Sequence, residues 1–157
     1  MPTVTLSPRG EQRLRTGHPW ISRADVIDVE AQAGDIVRVL GPRQGTLGFA
    51  LFSDQSQIPI RMLSRGETPP DDALIRRRIA QAIRFRGTLQ LDATAYRLVH
   101  GEADLLPSLV VDRYGEYLVV QTLSQGMDRL TAVVVQQLID NRRVPGGRLD
   151  EAMPRLV

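Results

Sequence analysis

At 157 residues, with 42% hydrophobic and 24% charged side chains, the chain suits one ordinary globular domain or two small ones. It contains no cysteine, which excludes disulfides and thiolate metal sites, and no apolar run nears the roughly 20 residues of a membrane-spanning helix. The sequence pI of 9.6 overstates its basicity: the formal net charge is +2, and all 20 basic residues are arginine, so almost nothing titrates between neutral pH and the tyrosines.

The distribution of charge says more than its total. Met1 to Leu91 carries 13 arginines against 9 acids, whereas Asp92 to Val157 carries 7 against 9, so the front of the chain is the half suited to an anionic partner. Met1 to Gly10 lacks a charged start followed by an apolar core, so no secretory signal is read and a cytoplasmic protein is expected.

From Val4 to Ser64, short β runs alternate with turn residues. The runs are Val4 to Leu6, Val26 to Val29, Ile36 to Leu40, Thr46 to Phe52 and Ile60 to Leu63; the breaks are Gly34-Asp35, Gly41-Pro42 and Gly45. This spacing predicts a small β-barrel. One helical turn at Gln12 to Arg15 is expected to interrupt it, stopped by Gly17. Trp20, the sole tryptophan, follows in His18-Pro19-Trp20-Ile21 and is read as a core anchor ahead of a base-stacking platform, since large aromatics are usually buried.

Thr68-Pro69-Pro70-Asp71-Asp72 marks a boundary, with an aspartate to cap the next helix. Ile75, Ile79, Ala82 and Ile83 recur at helical spacing as far as Gly87, the expected terminator. This helix bears Arg76, Arg77, Arg78, Arg84 and Arg86 with no acid among them, which fits either a solvated face or contact with RNA phosphates. Leu109 to Val111 and Tyr117 to Val120 then read as a hairpin joined through Arg113-Tyr114-Gly115-Glu116. Asp128 to Arg142 predicts a helix with Leu130, Val133, Val134, Leu138 and Ile139 as its apolar stripe, and Arg142 to Val157 has no sustained period.

Few residues point to chemistry. His100, Glu102 and Asp104 alternate, so on a strand they would share a side, yet the second histidine, His18, belongs to another region and no zinc-type spacing exists. They are read as fixing turns and an interface through hydrogen bonds. Ser108 lacks a nucleophile-elbow context, and Gly41-Pro42-Arg43-Gln44-Gly45 lacks the Lys and Ser/Thr of a phosphate-binding P-loop. Neither a catalytic residue nor a metal site is assigned.

Three stretches, Leu14 to Ile21 (LRTGHPWI), Ala33 to Val39 (AGDIVRV) and Arg97 to Gln121 with its HGEAD, LVVDRYG and YLVVQ, resemble the N-terminal half of large-subunit ribosomal RNA cytosine-5 methyltransferases. That resemblance implies a PUA domain, a small strand-and-helix domain, and then a Rossmann-like S-adenosylmethionine domain that has no counterpart in these residues. The family's catalytic and cofactor residues lie in that last part, so none is carried over and no cofactor is expected in this chain. Leu105 and Ser108 stand where relatives have glycines, which puts the local turn in question.

The resulting expectation is an α+β chain. A PUA-like small β-barrel spans 1–67, an Arg-rich connecting helix 68–91, an incomplete antiparallel sheet-plus-helix (strand-strand-helix) module 92–141, and an irregular tail 142–157. Structured, ribosomal RNA is the expected partner, with no membrane; the rival is a protein-association module using an open sheet edge, as a homodimer or with a separate catalytic chain. Charge and resemblance together make Arg13, Arg15, Arg23, Arg76, Arg77, Arg78, Arg84 and Arg86 the candidate phosphate contacts. His18, Trp20, His100, Glu102, Asp104 and Asp112 are motif residues given structural roles. A truncated or frameshifted methyltransferase gene is the expected origin.

Overall fold

The computed structural model describes residues 1–141 and a two-residue strand at 155–156; the tail from Arg142 otherwise lies outside the described residues. The chain runs β1 (Thr3–Leu6), α1 (Pro8–Arg15), β2 (Trp20–Ile21), a 3-10 turn (Arg23–Asp25), β3 (Val26–Glu30), β4 (Ile36–Leu40), β5 (Thr46–Phe52) and β6 (Ile60–Arg65). It continues through α2 (Asp72–Thr88), β7 (Ala95–His100), a second 3-10 turn (Gly101–Asp104), β8 (Leu109–Tyr114), β9 (Tyr117–Thr122), α3 (Gln125–Asp128), α4 (Thr131–Asp140) and β10 (Arg155–Leu156). Two compact units result: Met1–Pro70 with Ser124–Arg129, and Asp71–Leu123 with the chain from Leu130. The mixed α+β class expected from the sequence holds.

In the first unit a six-stranded sheet in the order β2-β6-β5-β4-β1-β3 curls into an open half-barrel. All its pairings are antiparallel except β1 with β4. Register shifts at Thr5/Leu6, Val39/Leu40 and Phe49/Ala50 increase local twist, which bends the sheet round its own apolar side. Val4, Leu6, Val37, Val39, Ala50, Phe52 and Ile60 form that side, with Ile21 and, from α1, Leu14. Strand β4 shows the cause: Val37 and Val39 are buried while Ile36, Arg38 and Leu40 are half-buried, the period-2 pattern that the sequence displays. Burying each such side chain stabilises by roughly 1.5–3 kcal/mol.

Gly34 has a positive φ of 87° before β4, and a Cβ there would meet the Arg129 side chain at 2.6 Å. Arg129 donates from Nη1 to Asp35 Oδ1 (2.6 Å) and from Nη2 to the Ala33 carbonyl (2.7 Å). The Ala33-Gly34-Asp35 turn is thus clamped by a residue far along the chain.

In the second unit the sheet order is β10-β9-β8-β7, antiparallel within β7-β8-β9 and parallel where β10 meets Tyr117 and Leu118. Helices α2 and α4 pack on each other, and α2 also packs on β7. Asp71 caps α2 by accepting from the Leu74 amide at 3.0 Å, and Ile75, Ile79 and Ala82 are buried.

Several boundaries differ from expectation. Helix α1 begins at Pro8 because Ser7 accepts the Gly10 amide (3.1 Å) and Pro8 suits a first turn. Gly87 lies inside α2, which ends at Thr88. The last apolar helix is shorter, since Ser124 caps a separate turn, α3, ahead of α4. The hairpin loop narrows to Gly115-Glu116, so Arg113 and Tyr114 are strand residues.

The turn at Leu105 and Ser108 is strained. Both residues have left-handed backbone, with φ of 59° and 65°. Each such non-glycine residue costs about 1–2 kcal/mol, and the buried Ser108 Oγ has no partner among the described residues.

Candidate nucleic-acid interface

Helix α1 is fixed by a buried acid. Asp25 is fully buried and accepts from Arg9 Nε (2.5 Å), Arg13 Nη1 (3.2 Å) and Ser22 Oγ (3.1 Å), with Ser7 Oγ at 3.4 Å. Burial raises the affinity of this carboxyl for a proton, but the hydrogen bonds from Arg9, Arg13 and Ser22 outweigh it and hold the group below its ordinary value. Arg13, a candidate phosphate contact, is therefore engaged in holding the helix.

The opposite side of α1 borders a groove. Two adjoining hollows of about 180 and 310 Å³ share Arg15, Thr46 and Leu47; Arg43 and the Gly41 and Gly45 of its turn line one, Arg65 and Gly66 the other. Glu11 is the one acid of this lining, and it is bound by Arg15 through Nε (2.9 Å) and Nη2 (2.6 Å). Three guanidinium groups against one carboxylate make the groove net positive. A Cβ on Gly41 would stand 3.2 Å from the Glu11 carboxylate, so glycine leaves room for the Glu11–Arg15 pair. Arg65 Nη1 donates to the Leu14 carbonyl at 2.6 Å, satisfying a carbonyl in the last turn of α1 where a cation is favoured. Arg43 is exposed and has no partner among the described residues.

Neither Arg43 nor Arg65 figures among the sequence candidates. Their signal was faint: an arginine between two glycines, in a turn that fails as a P-loop, and one at a strand end. Arg23, which does figure there, donates to the carbonyls of Asp54 and Ser56 and braces a loop.

Trp20 corrects the sequence expectation. It is 36% exposed, not a core anchor, because β2 is a two-residue strand at the end of the sheet and Ile21 takes the inward position. The Arg61 guanidinium lies 5.7 Å from its ring centroid, and the His18 ring meets it edge-on at 6.0 Å.

On α2, most of the arginine run is engaged within the second unit. Arg76 pairs with Asp140 (3.7 Å), Arg78 donates to the Leu105 carbonyl (2.7 Å), and Arg86 grips Asp104 with both terminal nitrogens (2.6 and 2.8 Å), its side chain 11% exposed. Arg77 and Arg84 are exposed and without a partner among the described residues. Seven residues apart, they share one helix face about 10 Å apart along its axis.

The His100, Glu102 and Asp104 cluster is not a one-sided strand, because Gly101–Asp104 forms a 3-10 turn. Asp104 accepts the His100 amide at 2.6 Å as well as Arg86, tying the turn to α2. Asp112, 7% exposed, receives Arg97 at 2.9 and 3.1 Å across the β7–β8 pair.

A family model described as a PUA-like domain matches residues 4–65. That match falls within the half-barrel of the first unit. Over 142 residues the chain is 36% identical to a protein named ribosomal RNA large subunit methyltransferase I from Shewanella frigidimarina, covering 87% of this chain and 36% of that relative. A protein of the same name from Tolumonas auensis is 37% identical over 131 residues, covering 80% and 33%. The chain thus spans about a third of the length of the curated relatives it matches, with which it is homologous. A solved structure titled as a putative SAM-dependent methyltransferase from Streptococcus mutans superposes with a TM-score of 0.77 at 17% identity, over 89% of this chain and 38% of that one, a likeness of fold. Among the described residues no helix is long and apolar enough to cross a membrane.

Proposed function

We propose that this chain is the RNA-binding, N-terminal portion of an S-adenosylmethionine-dependent ribosomal RNA methyltransferase, with the PUA-like unit as its RNA-holding part. The observation that carries this reading is the basic groove of Arg15, Arg43 and Arg65, lying in the region that matches a PUA-like domain. Homology to proteins named as ribosomal RNA methyltransferases supports ribosomal RNA as the partner, and the sequence resemblance points further to carbon 5 of cytosine as the position such a lineage modifies.

The groove suits phosphate. Guanidinium groups offer planar, paired donors that match phosphate oxygens, and contacts of this kind set the register of an RNA without reading its sequence. Arg43, projecting from its turn, meets a phosphate without first releasing an acid. Arg15 trades part of its bond to Glu11, while Arg65 is anchored to the Leu14 carbonyl and contributes mainly field. Arg77 and Arg84 on α2 form a second set of contacts.

The described residues do not fit S-adenosylmethionine. A Rossmann-like sheet binds its cofactor beyond the carboxyl ends of parallel strands, at a glycine-rich turn into a helix. Here β7, β8 and β9 are antiparallel, and the 3-10 turn after β7 is occupied by its own Asp104–Arg86 pair. On this reading the chain recruits RNA and transfers no methyl group by itself.

Titrating the labelled chain with structured ribosomal RNA and following its backbone amides tests the assignment. Shifts concentrated at 11–15, 41–47 and 65–66 are expected. Shifts confined to other parts of the PUA-like unit would remove the groove from the account. Methyl incorporation by the chain alone would overturn its non-catalytic role.

A further inference from the structure

Arg65 ties the groove to a neighbouring segment. While Nη1 of Arg65 holds the Leu14 carbonyl, Nη2 reaches the His18 carbonyl at 3.5 Å, so one side chain links the groove wall to the His18-Pro19-Trp20 segment. His18 Nδ1 lies 3.3 Å from the Trp20 amide nitrogen and 3.0 Å from its carbonyl oxygen, which sets the backbone on which the indole stands. Trp20 and Arg61 are direct partners in the β2–β6 register, and the guanidinium sits over the ring. An exposed tryptophan alone needs no explanation. One paired with an arginine, in a segment that Arg65 ties to the basic groove, combines the two elements that bind unpaired nucleotides: an aromatic face for the base and a cation for the adjoining phosphate.

We infer that Trp20, with Arg61, stacks on an unpaired base of the RNA whose neighbouring phosphates lie along Arg65, Arg15 and Arg43. The inference rests on the RNA reading above and adds to it the substrate feature recognised: a single-stranded nucleotide beside the phosphates that the groove holds. Duplex RNA, whose bases are stacked on one another, offers nothing to the indole.

The chain has one tryptophan, so its intrinsic emission reports on Trp20 alone. Oligouridylate is expected to quench that emission on binding, whereas an abasic phosphodiester of equal length and an RNA duplex bind through the groove and leave it unchanged. Trp20→Ala should weaken oligouridylate binding, followed by anisotropy, about 5- to 100-fold, with abasic-strand binding unaltered; Trp20→Phe should retain most of the affinity and, being at an exposed site, confirms that the loss is not one of folding. Oligouridylate binding with unchanged emission and no response to Trp20→Ala would overturn the stacking role and leave the groove intact. Equal quenching by the abasic strand would overturn it as well. Failure of every RNA to bind would instead bring down the RNA reading itself.

Discussion

The two arginine-bearing helices make an instructive pair. On α1, Arg9 and Arg13 are drawn to the buried Asp25, and Arg15 is left toward a groove whose other walls bring Arg43 and Arg65. On α2, three adjacent arginines look like the stronger nucleic-acid signal, yet Arg76, Arg78 and Arg86 hold Asp140, the Leu105 carbonyl and Asp104, leaving Arg77 and Arg84 outward. Density of charge along the sequence is therefore a poor measure of available charge. What matters is how many acids the fold sets against the guanidinium groups and whether it gathers those groups around a concavity, as it does Arg15, Arg43 and Arg65 against Glu11 alone.

The largest effects are expected where acids engage the arginines. Arg86→Met should cost about 3 kcal/mol in denaturant unfolding, because Asp104 is left poorly solvated with its charge partner removed; a cost below about 0.5 kcal/mol would show that the α2 arginines are not structural. Asp25→Ala should cost about 2–3 kcal/mol, since a buried acceptor of several charged or hydroxyl donors is lost while Arg9 and Arg13 return to solvent. The same site predicts a pH dependence. Because the folded carboxyl is held below its ordinary value of 3.8, its stabilising contribution is present above that pH and declines as the pH falls below it toward the folded value. Wild-type melting temperature should therefore drop below about pH 3.8 more steeply than that of Asp25→Asn; parallel profiles would remove the depressed carboxyl from the account.

Smaller effects are expected at the strained turn and on the exposed face of α2. Leu105→Gly and Ser108→Gly should each stabilise by roughly 0.5–1 kcal/mol, the relief of left-handed strain less the extra unfolded-state freedom of glycine. Destabilisation by either would mean that the turn does not store this strain. Arg77→Ala and Arg84→Ala should shift stability by under about 0.5 kcal/mol, as exposed positions do.

Much of the fold was legible. Strand β4 follows from period-2 burial, β3, β5 and β6 from short β-forming runs set between turn residues, and α2 from Ile75, Ile79 and Ala82 behind an aspartate cap. The substitutions at Leu105 and Ser108 correctly marked glycine-favouring backbone, although they did not disclose that the chain would bear the strain. Trp20 misled because the tendency of large aromatics to be buried takes no account of a two-residue strand at the sheet's end. Asp25 was illegible, since nothing local distinguishes it from the exposed Asp28 three residues on. The groove was illegible for a different reason: residues 11–15, 41–47 and 65–66 become one surface only when β4, β5 and β6 pair beside α1.

The most direct measurement of the central claim is the salt dependence of affinity for structured ribosomal RNA, compared between the wild-type chain and Arg43→Ala. Arg43 has no internal partner among the described residues, so its removal should leave the melting temperature unchanged while weakening binding at low salt and reducing the slope of log affinity against log salt by about one. A flat salt response, or identical slopes for the two proteins, would contradict the assignment of the α1 groove as the RNA-binding surface.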